Sequence, residues 1–279
     1  MQIRQFISET ATFPEIDADE NREDFVFAWK DHLFMLVYSP YETLAYRQLL
    51  RWDTDKSQWI ALPLAVNVEC NEINGDSSTR YDVCVAERSS VDDDQLHVII
   101  RHRDKLTVHA LQLLPDSAKV ERECVFDVTD ASQLAGWRPI RAIVNSKQLY
   151  VLGGAEGCGF RWEPNDLFVI DLSAGKSTVR EVQGDAPPWS FSGPQQAVSL
   201  SSKGQWLMLG GSQQVGMYDS KWIGETWSID VNALRWVRHA ECPIPTSIEP
   251  THHQMSAASD GRSIVFVHEN NAGVFEMKL

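Results

Sequence analysis

Residues 149–154 read Leu149-Tyr150-Val151-Leu152-Gly153-Gly154, and residues 206–211 read Trp206-Leu207-Met208-Leu209-Gly210-Gly211. Each apolar run is followed by a second strand-like stretch that ends in aspartate. In one copy it is Asp166-Leu167-Phe168-Val169-Ile170-Asp171, in the other Glu225-Thr226-Trp227-Ser228-Ile229-Asp230. The glycine pairs lie 57 residues apart and the aspartates 59, so the copies keep their internal phase. A period of roughly 40–60 residues with several strands per copy points to propeller blades, units that must stack to bury a core.

Stepping outward by that period finds Ile264-Val265-Phe266-Val267-His268 ahead, then Leu96-His97-Val98-Ile99-Ile100 and Leu33-Phe34-Met35-Leu36-Val37 behind. The intervals of 63, 53, 57 and 58 residues give five units. In each, a short first strand (24–29, 81–87, 138–144, 195–200, 254–258) leads through a polar turn into the apolar run. A connection of variable length then reaches a third strand (49–53, 106–113, 167–171, 226–230, 273–277). A tight turn and an outer strand follow, as in Asp53 to Trp59 and Asp230 to Trp236. The aspartate is expected to accept backbone N–H groups in that turn, and the Trp to pack against the neighbouring blade.

The fifth unit ends at Leu279, just after its third strand, while residues 2–12 make an orphan strand ahead of the first unit. An unpaired edge is an aggregation hazard, so the N-terminal strand is expected to complete the last blade and close the ring. The expected fold is all-β, a β-propeller of about five four-stranded blades in one domain, 1–279. The blades fall at 24–62, 80–126, 138–182, 195–239 and 252–279 plus 2–12, with six blades as the alternative count.

Thirty-nine acidic against 25 basic residues leave a net charge of −14, which argues against nucleic acid or an anionic membrane as main partner. The basic stretch around Arg101, His102, Arg103 and Lys105 reads as a solvated hairpin face. The acidic stretches 17–24 and 92–94 read first as solubilising loops and second as a site for a basic partner. The N-terminus lacks the look of a signal peptide, and no run of about 18 apolar residues exists to span a membrane. Five dispersed cysteines (70, 84, 124, 158, 242), odd in number and without a CxxC pair, fit a reducing compartment. The expectation is a cytoplasmic or nuclear protein that is not secreted.

The order of an apolar strand ending Gly-Gly, a variable loop, a strand ending in a polar turn and then Trp resembles the Kelch motif. Residues 138–239 carry the resemblance; units one, two and five have Tyr38-Ser39, Arg101-His102 and His268-Glu269 in place of the glycine pair. In Kelch blades the pair lets the chain bend where blades crowd together. The resemblance implies a binding platform whose partner surface is built from two sets of loops. Those between second and third strands are 38–46, 155–165 and 212–224; those between blades are 127–138, 183–194 and 240–253.

These loops hold Tyr41, Trp137, Arg138, Arg161, Trp162, Trp189, Tyr218 and Trp222, residue types that dominate interface energetics. They are the expected partner-binding residues. The expected function is a stand-alone adaptor or scaffold subunit in a larger complex, binding a protein or peptide, with a basic one favoured by the acidic chain. A BTB or F-box segment beside the repeats is not expected.

Catalysis is the alternative. His252-His253 near Glu249 suggests a metal, but adjacent residues on a strand point to opposite faces, and a structural role is favoured. A galactose-oxidase-like copper site needs two Tyr, a Cys and two His at one mouth. Cys158, Tyr218 and Trp222 have no histidine pair beside them. A sugar-mutarotase-like ligand site at the mouth is the other enzymatic form. The iron-binding Glu-x-x-x-Asp-x-x-x-His run of plant specifier proteins is absent. The glycine-rich 153–159 has no helix after it to aim amides at phosphate and reads as a blade loop. Cys158 beside Arg161 reads as an incidental thiol. No catalytic residue, metal ligand or cofactor is expected.

Overall fold

A computed structural model describes residues 3–5, 23–30, 32–38, 46–56, 58–65, 82–88, 94–102, 105–127, 137–145, 147–155, 166–189, 196–200, 205–215, 219–239, 255–259, 263–268 and 273–278. Among them every regular element is a strand. No helix is long and apolar enough to cross a membrane.

The N-terminal strand β1 (Ile3–Gln5) pairs antiparallel with the last strand of the chain. Unit one follows as a meander of β2 (Glu23–Trp29), β3 (His32–Tyr38), β4 (Tyr46–Asp53) and β5 (Gln58–Leu62). The chain then continues into the short β6 (Leu64–Ala65). Unit two is β7 (Asp82–Arg88), β8 (Gln95–His102), β9 (Lys105–Leu114) and β10 (Ser117–Asp127). Unit three is β11 (Trp137–Asn145), β12 (Gln148–Ala155), β13 (Asp166–Asp171) and β14 (Lys176–Glu181).

Unit four has β15 (Gln196–Leu200) and β16 (Gln205–Leu209), then an added hairpin, β17 (Ser212–Gln214) and β18 (Ser220–Trp222), before β19 (Thr226–Asp230) and β20 (Arg235–His239). Unit five is β21 (Met255–Ser259), β22 (Ser263–His268) and β23 (Gly273–Lys278), with β1 as its fourth strand in the register Ile3↔Met277. The orphan strand thus lies on the outer edge of the last sheet, as its sequence position suggests.

Alternation along the second strand of each unit sends successive residues to opposite faces. Phe34 and Leu36 pack with Val85, Leu96, Val98 and Leu111 between units one and two. Ile99, Leu106 and Val108 face Leu149, Val151 and Phe168 between units two and three. Tyr150 and Leu152 meet Trp206, Met208 and Trp236 between units three and four. The sheets of units one through four therefore stack face to face in sequence order. On the other face of unit one, Met35, Val37, Leu50 and Trp59 form a separate cluster. There Trp59 meets Trp52 of its own sheet edge to face at 5.4 Å. The first strands lie near one another. β7 and β11 pair in parallel, Ala142 opposite Ala86, while β15 lies beside β21 and β21 beside β2.

The exits of two units repeat one device. After β5 the chain runs parallel to β10, the outer strand of the next sheet, where Ala118 donates to the Pro63 carbonyl at 3.1 Å. After β14, Gln183 bridges Arg235 in parallel: its N–H donates to Leu234 at 2.8 Å, and its carbonyl accepts from Trp236 at 2.9 Å. Each exit covers edge groups that would otherwise stand open. It also gives the linked units a common direction.

The aspartate turns form as expected. Asp53 Oδ1 accepts the N–H of Asp55 and Lys56, Asp171 Oδ1 those of Ser173 and Ala174, and Asp230 Oδ1 those of Asn232 and Ala233. Donation from the Ser173 hydroxyl, then from the Ala174 and Ser173 amides, lowers the Asp171 pKa. The Lys56 amide does the same for Asp53, against a smaller opposing effect of desolvation.

Candidate functional site

Strand direction decides where a site can be. Within an antiparallel sheet the start of the first strand, the end of the second, the start of the third and the end of the fourth share one end. The parallel pairings of β6 with β10, β7 with β11 and Gln183 with Arg235 keep that end common to units one through four. All second-to-third connections and all crossings between these units are therefore anchored at one end of the stack.

The best-described piece of that end is the β17–β18 hairpin. Gly210 has φ 58° and Gly211 φ 142°, turning the chain out of β16. Trp222 then folds its indole directly over Gly210, where any side chain would overlap the ring. The Gly210 N–H donates to Glu225 at 3.1 Å and the Ile223 N–H to Gly211 at 2.8 Å, fastening both legs. At the tip, Val215 donates its N–H to the Asp219 carbonyl at 3.0 Å while 61% of its surface is exposed. Below the hairpin, Glu225 accepts from Trp227 Nε1 at 2.9 Å and pairs with Arg238, whose guanidinium lies 5.9 Å above the Trp227 ring.

The two glycine pairs therefore differ. Gly210 ends a strand, whereas β12 runs on through Gly153 and Gly154 to Ala155, opposite Pro139, Arg138 and Trp137. A repeat seen in sequence needs the same backbone only where the surroundings match, and among the described residues the added hairpin is seen in unit four.

The expected binding residues divide four ways. Trp137 and Arg138 open β11 at the shared end, in register with Ala155 and Gly154. Tyr41, Arg161, Trp162 and Tyr218 lie outside the described residues, as do Cys158, Glu249, His252 and His253. Trp189 is corrected: only 5% exposed, it meets Trp236 edge to face at 6.1 Å within the core between units three and four. The Gln183 crossing carries the chain over the outer strand of unit four, so an inter-blade loop position becomes a core position. Trp222 is half-buried and holds the hairpin base, a partly structural role that its loop position did not reveal.

Sequence reasoning missed Val215, whose signal was an aliphatic side chain among Gln213, Gln214 and Gly216 in a polar stretch. Among the described residues no group of three His, Cys, Asp or Glu is placed to hold a metal ion. The arrangement supplies a rigid frame and a pinned hairpin, which suits holding a surface in place.

No family model and no curated protein matches this chain. Solved structures with a similar course include the major allergen Mala s 1 of Malassezia sympodialis. It is 10% identical over 94% of this chain and 83% of that one, with a TM-score of 0.44. A member of the duf4221 family from Bacteroides vulgatus is 11% identical over 85% and 63%, with a TM-score of 0.44. The Dos1 propeller is 9% identical over 91% and 53%, with a TM-score of 0.39. Likenesses at these scores decide neither fold detail nor function.

Proposed function

We propose that this chain is a five-bladed β-propeller, Kelch-like in units three and four, serving as a non-catalytic adaptor or scaffold subunit in the cytoplasm or nucleus. It holds a partner protein or peptide through the connections at one end of its sheets. The observation that carries this reading is the common direction of the units. It starts connections from distant parts of the sequence at one end of the sheets, which supports a binding face there on a frame of packed strands. The β17–β18 hairpin, fastened at its base and bearing the exposed Val215, is the described part of that surface.

The test is affinity purification with mass spectrometry, using the wild-type chain and a variant carrying Arg161→Ala, Trp162→Ala and Val215→Asp. Trp222 is left intact because it supports the hairpin. A co-purifying protein should be recovered with wild type and lost with the variant, while the circular dichroism melt shifts by less than about 2 °C, as expected of surface changes. Recovery of the same partner by both proteins would remove the assigned face.

A further inference from the structure

The outer strand of unit three breaks a pattern that other outer strands keep. Six residues after the turn aspartate, units one and four carry the buried Trp59 and Trp236; unit three has the exposed Ser177. Every side chain of β14, from Lys176 to Glu181, is exposed, Val179 included. The outer edges of β10, β20 and β23 are met by β6, Gln183 and β1. Among the described residues β14 pairs with β13 alone and ends its sheet. β5 also ends a sheet, but Trp59 is buried on it and Ile60 and Leu62 are half-buried. In β14 every second residue turns its N–H and C=O away from β13, toward the open edge.

Register sets the chemistry of that edge. Lys176, Thr178 and Arg180 lie opposite Asp171, Val169 and Leu167, on the face toward unit four; Ser177, Val179 and Glu181 take the other face. Lys30, Arg51, Lys56 and Arg238 each meet a carboxylate. Among the described residues, Lys176 and Arg180 have no such ion pair, and Asp171 Oδ1 is taken up by its own turn amides. Two cations without a counter-ion thus share one face of a strand whose backbone is open.

A second copy of this chain does not satisfy that edge. An antiparallel ladder sets outward-turned residues opposite one another, so the numbers of opposed residues in two β14 strands must sum to an even number. In each such register Lys176 or Arg180 falls opposite or diagonal to Lys176 or Arg180 of the other copy, while Glu181 lies on the other face. Like charges so placed repel.

We infer that β14 accepts an extended segment of a partner protein as a fifth strand of unit three, with Asp or Glu facing Lys176 and Arg180 and a β-branched residue facing Thr178. Backbone hydrogen bonds hold any extended chain at such an edge, and the two cations select an acidic one. The net charge of −14 repels such a segment at a distance, so selection rests on these contacts and not on steering. The site runs along the flank of unit three and is additional to the end-face reading above.

The probe is a labelled peptide of about seven residues, near a common strand length, with glutamates facing Lys176 and Arg180, threonine between them and valine facing Val179. A matched peptide carries lysines for the glutamates. Fluorescence anisotropy at about 150 mM salt reads binding, and amide hydrogen exchange reads β14. The acidic peptide should bind wild type at least about tenfold more tightly than the basic one and slow exchange at alternate residues of β14. Lys176→Glu with Arg180→Glu should reverse that preference, and a reversed preference itself shows that the edge is still folded.

No binding of the acidic peptide at about 1 mM, unchanged exchange in β14, or an unreversed preference overturns the inference. A wild-type dimer with protected β14 amides also overturns it, in favour of a second copy. The variant carrying Arg161→Ala, Trp162→Ala and Val215→Asp should bind the acidic peptide as wild type does; loss of binding there would move the site off β14.

Discussion

Gly210 shows how a single residue can be required twice. Its φ of 58° is strained for any side chain, and the Trp222 indole occupies the space a Cβ would need. Gly175, in the aspartate turn of unit three, has a similar φ of 65° but open space around it. The pair separates two effects. Gly175→Ala should cost about 1–2 kcal/mol, the strain of a left-handed non-glycine residue. Gly210→Ala should cost at least about 1 kcal/mol more, because the ring must move off the hairpin base. Urea unfolding of both variants checks the difference, and equal costs would mean that Trp222 moves aside freely. Leu234 occupies the position equivalent to Gly175 in unit four with φ 48°, and its side chain packs on the Trp236 cluster. Burial there offsets a backbone that unit three relieves with glycine.

At the scale of elements, the recurring problem is the open edge of each sheet. Pro63–Ala65 covers β10, Gln183 meets β20, and β1 pairs with β23. Removing residues 1–12 should strip β1 from β23 and cost about 2–3 kcal/mol, at about 1 kcal/mol for each hydrogen bond lost. For a chain of this size that lowers the melting temperature by roughly 4–12 °C, and the bare β23 edge should promote aggregation. Differential scanning calorimetry with light scattering measures both; an unchanged melt would show that β1 contributes nothing. The recurring four-strand order was legible in the sequence, the added β17–β18 hairpin excepted, because the apolar runs and the aspartate turns are local signals. The crossings were not. Trp189 reads as a loop residue until the chain is seen to pass over β20, where Trp236 and Trp206 bury it.

For the whole molecule, the net charge of −14 has a consequence for stability. Thirty-nine acidic against 25 basic residues leave that surplus, whose self-repulsion dilute salt screens poorly. Raising sodium chloride from about 20 to about 300 mM should therefore raise the melting temperature by a few degrees; a fall would show that attractive ion pairs such as Lys30–Asp94 dominate instead. The candidate site was half legible. The sequence named the loops and the surplus of acid, since residue type and strand period are both written in one dimension. It could not say that Val215 stands open, that Trp222 is tied to Gly210, or that the connections of units one through four leave from one end. Those depend on the direction of each sheet relative to the next, which parallel pairings between residues far apart in the chain alone decide. By itself the sequence determined an all-β repeat with an N-terminal strand to spare, because alternation, turn residues and phase are local. The tertiary structure decided which aromatic side chains became core and from which end the connections of units one through four leave, because burial and relative direction arise only between sheets.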